Sequence, residues 1–255
     1  MLLRRVIKHV SDQNWTAIGI DFAIVVIGVF VGLQVTSWNE DRIAESRAEI
    51  YYQRLIDDLQ SELKSRQSRI RYYEQTRAHA KAALRAMQMP EMSLGTSFLV
   101  DSYQASQRWI YAPHRTTYDE LIAAGIADAI PDVEIREQLA NFYVGLEASN
   151  LTQQEPTPFR DELRRQMPDG VQSAIRDLCN DQYTFVNGLL YLQLPEKCEI
   201  ALDENLIAGA VDALDAYDDM EKDLARHISI LDSKLNSLRA WDLPIREMIE
   251  ILNKQ

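Results

Sequence analysis

The alternation of apolar and polar positions divides the chain into stretches of different character. In residues 16–38 apolar side chains dominate, and 22–33 is a run of 12 residues without a polar side chain. A membrane-crossing helix needs roughly 20 mostly apolar residues. The run has no polar face, unlike the helix of a soluble core. Trp15 and Trp38 stand at its two ends, where interfacial aromatics belong. Asp21 and Gln34 are the two residues that argue instead for a buried soluble helix. Residues 39–89 then repeat apolar side chains at three- and four-residue steps (Ala48, Tyr52, Leu55, Leu59, Leu63, Ile70, Tyr73, Ala80, Leu84, Met87) with charged residues between. That period predicts a helix, unbroken until Pro90 and about 75 Å long at 1.5 Å per residue.

A second long periodic segment lies near the C-terminus. Ile207, Ala210, Leu214, Tyr217, Glu221, Leu224, Ile228, Leu231, Leu235 and Leu238 keep a strict 3,4 spacing, with Glu221 the one polar member. Such a seam either folds back on the 39–90 helix in an antiparallel bundle or joins two copies as a coiled coil. Between the two segments the punctuation is dense. Thr117-Tyr118-Asp119-Glu120 reads as a capping box, and Gly125 can close the helix it starts. Ile130-Pro131-Asp132 opens another helix with Ile135, Leu139, Phe142, Tyr143 and Leu146 on one face. Glu155-Pro156-Thr157-Pro158 breaks the chain, and Pro168-Asp169-Gly170 reads as a turn. Asn187-Gly188 between two β-rich runs predicts a hairpin.

The expected fold is therefore mainly α: a transmembrane helix, long antiparallel or coiled-coil helices, and a smaller helical subdomain with one β-hairpin. The expected segments are a cytoplasmic tail (1–15), the span (16–38), a membrane-proximal helix (39–90), the helical subdomain (91–200) and a C-terminal helix packing on 39–90 (201–255).

Charge sets the expected orientation. Three of the 27 basic residues (Arg4, Arg5, Lys8) and two of the 39 acidic ones fall in 1–39, which leaves 24 and 37, a formal charge of −13, for 40–255. The positive-inside rule then places the N-terminus in the cytoplasm and the acidic domain outside. A cleaved signal peptide, with Val35-Thr36-Ser37 as its site, is the competing reading; its basic region would be long and would contain Asp12 and Asp21. A net charge of −12 argues against a nucleic-acid surface.

Asn14-Trp15-Thr16-Ala17, running through Gly28-Val29-Phe30-Val31-Gly32-Leu33-Gln34-Val35 to Ser37-Trp38-Asn39-Glu40, resembles a family of uncharacterised bacterial single-pass membrane proteins. Thr117-Tyr118-Asp119-Glu120-Leu121 with Gly125, and Ile135-Arg136-Glu137-Gln138-Leu139 with Tyr143, resemble that family's outer-domain motif. The resemblance implies an uncleaved anchor in a bacterial inner membrane and a periplasmic domain. It implies no activity and no catalytic residue.

Candidate functional residues are few. Gly28 and Gly32 form a small-xxx-small pair through which two membrane helices can approach closely, although glycine is also simply common in such helices. Asp21, seven residues before Gly28, shares their stripe. An acid within a span is costly and usually functional. The Trp15…Asp21-Phe22 pattern is similar to the ion-carrying subunit of flagellar stators, where the acid binds and releases protons; the alternative is a hydrated carboxylate at the interface. Cys179 and Cys198 flank the hairpin and are expected to form a disulfide in an oxidising compartment. His9, His79, His114 and His227 are scattered, with His79 and His227 expected to be solvated, and Tyr72-Tyr73 reads as helix packing. No nucleophile, phosphate-loop or metal motif is present, so no enzyme activity and no cofactor are expected. The partners expected are the lipid bilayer and either a second copy or another membrane protein. These features favour an interaction or scaffold protein, with an ion-coupled transducer using Asp21 or a periplasmic sensor as alternatives.

Overall fold

The computed structural model describes residues 15–89, 94–186 and 188–255. Arg4, Arg5 and Lys8, the helix stop at Pro90 and the turn residue Asn187 lie outside them, as do the side chains of Trp15 and Ala17. Among the described residues helices dominate and the one sheet is a two-strand antiparallel hairpin, so the fold is mainly α.

One helix organises everything else. Helix α1 (Trp15–Gln88) runs for 74 residues, about 110 Å, with no proline inside it. No element boundary separates 16–38 from 39–90. Its first part is bare: Phe22, Phe30 and Leu33 are 70%, 62% and 65% exposed. This segment is long and apolar enough to cross a membrane, and none of it is buried in the protein. The Thr36 hydroxyl donates to the Gly32 carbonyl at 3.0 Å, which keeps that polar group satisfied within the helix. Burial begins at Ala48, and the stripe through Tyr52, Leu55 and Leu59 continues down the helix.

The remaining elements wrap the lower part of α1. They are α2 (Thr96–Ala105), α3 (Thr116–Ala123), a 3₁₀ turn (Ala127–Ala129), α4 (Val133–Gln154), α5 (Pro158–Gln166), α6 (Asp169–Cys179), strands β1 (Gln182–Val186) and β2 (Leu189–Gln193), α7 (Glu204–Asp215), α8 (Met220–Ala240) and α9 (Asp242–Leu252). Two apolar clusters form along α1. The one nearer the bare segment joins Leu55 and Leu59 to Leu139 and Leu146 of α4 and Ile245 of α9. The distal one joins Tyr72 and Ala83 to Leu99 of α2, Phe159 of α5, Ile175 of α6 and Leu231 of α8.

Local chemistry explains several element ends. Asp132 accepts from the Glu134 and Ile135 amides at 2.8 and 3.3 Å and starts α4, whose predicted face is buried throughout. Gly125, at φ 65°, ends the turn after α3 in a conformation that a side chain disfavours. The hairpin pairs Tyr183 with Leu192 and Phe185 with Leu190, and Gly188 sits at φ 80° in its turn. Cys179 and Cys198 are joined by a disulfide across a Cα–Cα distance of 5.4 Å. The hairpin register would set residue 196 opposite Cys179, and the non-strand segment after Gln193 supplies the offset.

Three expectations are corrected. The capping box at Thr117 does not form: α3 begins at Thr116, no side chain caps it from within, and the Thr117 amide donates to Asp58 of α1 at 2.7 Å. Glu120, the box's acid, instead accepts from Arg54 Nη1 at 3.1 Å. Pro168-Asp169-Gly170 is not a free turn, because Asp169 and Gly170 are the first residues of α6. The 201–255 segment is three helices and not one. The 3,4 seam is interrupted after Asp215, where Asp215, Asp218 and Asp219 crowd short acidic side chains that favour caps and turns over helix interiors. A second break precedes Pro244, which fits in the first turn of α9 but not deeper in a helix. Of the seam's buried members, Ala210 and Leu214 lie on α7, while Leu224, Leu231, Leu235 and Leu238 lie on α8, which runs antiparallel along α1: Glu221 meets Gln88, Asp232 meets Arg77 and Glu74 meets Arg239.

Candidate functional site

The two apolar clusters are separated by a buried polar layer. Glu62, Ser65, Arg66, Ser68 and Arg69 of α1 are each no more than 3% exposed. A buried charge is tolerated only when paired and hydrogen-bonded, and Glu62 is both. Its Oε1 accepts from Arg66 Nε at 2.8 Å and Arg69 Nη2 at 3.1 Å. Its Oε2 accepts from the Tyr111 hydroxyl and from the His114 amide at 3.0 Å. Arg66 also reaches Ser149 Oγ of α4 at 3.3 Å and the Leu238 carbonyl of α8 at 3.5 Å. The Arg69 guanidinium lies 3.5 Å above the Tyr111 ring centroid. Burial, aided by the Glu62 carboxylate, raises the Tyr111 hydroxyl's pKa, so it remains a proton donor to Glu62. Burial lowers the Arg66 pKa, an effect partly offset by Glu62.

Tyr111 faces two ways. Beyond the polar layer it lines a cavity of about 370 Å³ between the α2–α3 connection, the α4–α5 junction and α8. Trp109 and Tyr73 contribute further aromatic wall, and Arg108, Arg160 and Lys234 bring three cations. The Glu155-Pro156-Thr157-Pro158 break shapes the opening, because prolines there stop α4 and set the start of α5. Lys234 is 7% exposed, and its ammonium donates to the Glu155 carbonyl at 3.0 Å. Burial pulls the Lys234 pKa down; the Glu155 carboxylate resists and Arg108 adds to the fall. Arg160 is lowered by burial and then by Arg108.

His227 is the sharpest departure from the sequence reading. Expected in solvent, it is 5% exposed, faces Phe159 at 5.1 Å between ring centroids, and donates from Nε2 to the Ala105 carbonyl at 2.7 Å. Burial, with the fields of Lys234 and Arg160, pushes its pKa down to about 4. It is therefore a neutral imidazole at pH 7. His79, likewise expected in solvent, is partly buried and pairs with Asp101 of α2 at 2.7 Å. Tyr72 and Tyr73 are buried, packing edge-to-face, and Tyr73 also takes part in the cavity wall.

The residues singled out by sequence do not converge. Asp21, Gly28 and Gly32 lie on the bare part of α1, and a Cβ built at either glycine meets nothing within 4 Å. Cys179 and Cys198 lie at the hairpin's base. Among the described residues no three His, Cys, Asp or Glu side chains gather as a metal cluster. The polar layer did leave a trace in the sequence. Between Leu63 and Ile70 the 3,4 stripe has its next position at Arg66, a buried slot filled by a charge. No family model, curated protein or solved structure matches this chain.

Proposed function

We propose that the protein is a single-pass membrane protein that holds an acidic helical interaction module against a bacterial inner membrane, with its N-terminus in the cytoplasm and the module in the periplasm. The observation that carries this reading is the continuity of α1, whose uncovered apolar end and core-forming end belong to one helix. A chain with that many apolar side chains in water would aggregate, whereas in lipid the same surface is satisfied. The charge step across the segment supports the orientation, and the disulfide supports an oxidising compartment. The resemblance of the anchor residues to bacterial single-pass membrane proteins agrees with this reading. The Gly28–Gly32 pair suits a homotypic contact between two copies in the membrane.

Extraction and protease access test it together. The protein should stay with membranes through alkaline carbonate washing, and a chain lacking residues 1–38 should leave them. Protease added to spheroplasts should digest residues 40–255. Protection of that region would reverse the orientation, and release by carbonate would remove the anchor. Copurification from membranes would then identify what the module holds.

A further inference from the structure

We propose that the cavity beside Tyr111 binds a small soluble anion, its carboxylate or phosphate group held by Arg108, Arg160 and Lys234. The inference goes beyond the anchoring role, and only its exclusion of lipid head groups rests on that reading. Lys234 comes first. It is 7% exposed, and its ammonium donates to the Glu155 carbonyl at 3.0 Å and lies 5.9 Å from the centroid of the Tyr73 ring. Glu155 and Tyr73 both line the cavity, so the ammonium stands at its wall. A buried cation is costly unless an opposite charge pairs with it. Among the described residues Lys234 makes no carboxylate ion pair, and neither do Arg108 and Arg160, which line the same cavity from the α2–α3 connection and from α5. Arg160 gives one of its donors to the Ser106 carbonyl, and Arg108 is exposed. A guanidinium has five donors and an ammonium three, so all three side chains retain some for a ligand.

The three charges also act on one another. Burial lowers the Lys234 pKa, the Glu155 carboxylate resists, and the Arg108 charge adds to the fall. Arg160 is lowered by burial and then by Arg108. Glu155 and Asp161 line the cavity too, but both are exposed, and neither lies within ion-pair distance of the three cations. The lining is thus three cations against two carboxylates, in a chain whose net charge is −12. An anion drawn in among the cations relieves their repulsion and accepts from the donors still free. At about 370 Å³ the cavity lies within the range of small-molecule sites, so the charged group comes on a small organic body. Distance decides against a lipid head group. Tyr73 is 35 residues beyond Trp38 on the unbroken α1, which carries it about 50 Å farther from the bare segment.

The test is titration calorimetry of the full chain in phosphatidylcholine nanodiscs with propionate, propyl phosphate and 1-propanol, one carbon chain with two charged ends and one neutral end. At least one anion is expected to bind saturably below 10 mM and at least tenfold tighter than the alcohol, and the tighter of the two names the charged group. Arg108→Gln should weaken that anion at least fivefold. Glu155→Gln keeps the carbonyl that Lys234 uses but removes a lining carboxylate, and should tighten the anion at least twofold. Both positions are exposed, so the thermal unfolding midpoint should stay where it is. Exchanging phosphatidylcholine for phosphatidylglycerol should leave the affinity unchanged; competition from that lipid would overturn the soluble ligand. No saturable binding of either anion up to 10 mM, equal binding of the alcohol, wild-type affinity in Arg108→Gln or weaker binding in Glu155→Gln would each overturn the site.

Discussion

Tyr111 donates its phenolic hydrogen to Glu62 on one side and lines the cavity on the other, so a single side chain joins the α1 polar layer to the enclosed space. The layer interrupts two apolar clusters that would otherwise merge, and its Arg–Glu–Arg arrangement is fully buried.

Removing the centre of that arrangement should be severe. Glu62→Gln leaves Arg66 and Arg69 buried without a counter-ion, a situation that costs about 3–5 kcal/mol. Urea unfolding followed by circular dichroism should show it as a lower midpoint. Tyr111→Phe, which removes one neutral donor, should cost about 1–2 kcal/mol. Equal effects from the two changes would show that Glu62 is not the electrostatic hub.

Gly145 makes a steric prediction. A Cβ at that position would lie 2.7 Å from Cη2 of Trp241, whose ring is also in contact range of Phe142 at 5.5 Å between centroids. In an open helix interior Gly→Ala stabilises by about 1 kcal/mol. Here Gly145→Ala should instead destabilise by about 1–3 kcal/mol, because the indole packed on Phe142 would have to shift. In a Trp241→Leu background the sign should revert. A stabilising Gly145→Ala in the wild-type background would show that the indole yields freely.

His227 predicts a pH dependence. Its folded pKa lies below its unfolded value of 6.5, near 4, so the unfolded chain takes up the proton first as pH falls. The stability that depends on a neutral imidazole is complete above pH 6.5 and drains away as pH drops toward 4. The full loss is about 3 kcal/mol. His227→Gln retains a donor for Ala105 and should flatten the difference in unfolding free energy between pH 7 and pH 4.5. An unchanged slope would assign the acid lability to other groups.

The disulfide between Cys179 and Cys198 closes a loop with a sequence separation of 19. Chain entropy gives such a closure about 3 kcal/mol. Reduction should lower the urea midpoint by that order. Thiol labelling of the native, non-reduced protein should find neither cysteine free.

Within the bare part of α1, bulk and charge separate two roles. Gly28→Leu and Gly32→Leu should weaken cross-linking between copies in membranes, while Asp21→Asn should leave both cross-linking and cellular phenotype unchanged. Loss of phenotype in Asp21→Asn, with normal expression and assembly, would favour an ion-coupled transducer over a scaffold.

Much of the architecture is readable in the sequence because it follows from local rules. The face of α4, the stop at Gly125 and the hairpin around Gly188 each depend on a few neighbouring residues. What sequence does not reveal depends on partners far along the chain. The cap of α3 comes from Asp58, and the burial of His227 comes from Phe159 and Ala105. Arg66 looks like a solvated residue until Glu62, Ser149 and Leu238 surround it. The C-terminal seam shows the opposite failure. A spacing that is perfect on paper gives no warning that three aspartates in five positions end the helix within it.

The unbroken passage of α1 from the bare segment to the core also fixes an angle. Residues 39–47 are exposed helix, nine in number, with nothing covering them and no proline to swivel on. Each residue of an α-helix turns the chain by about 100°. If two copies meet through the Gly28–Gly32 edge as proposed, the direction of that edge dictates which side of the domain looks toward the second copy. One extra residue in this neck would swing that side through more than a quarter of a turn, whereas seven would nearly restore the original bearing and lift the domain by about 10 Å. The neck behaves as a keyed shaft.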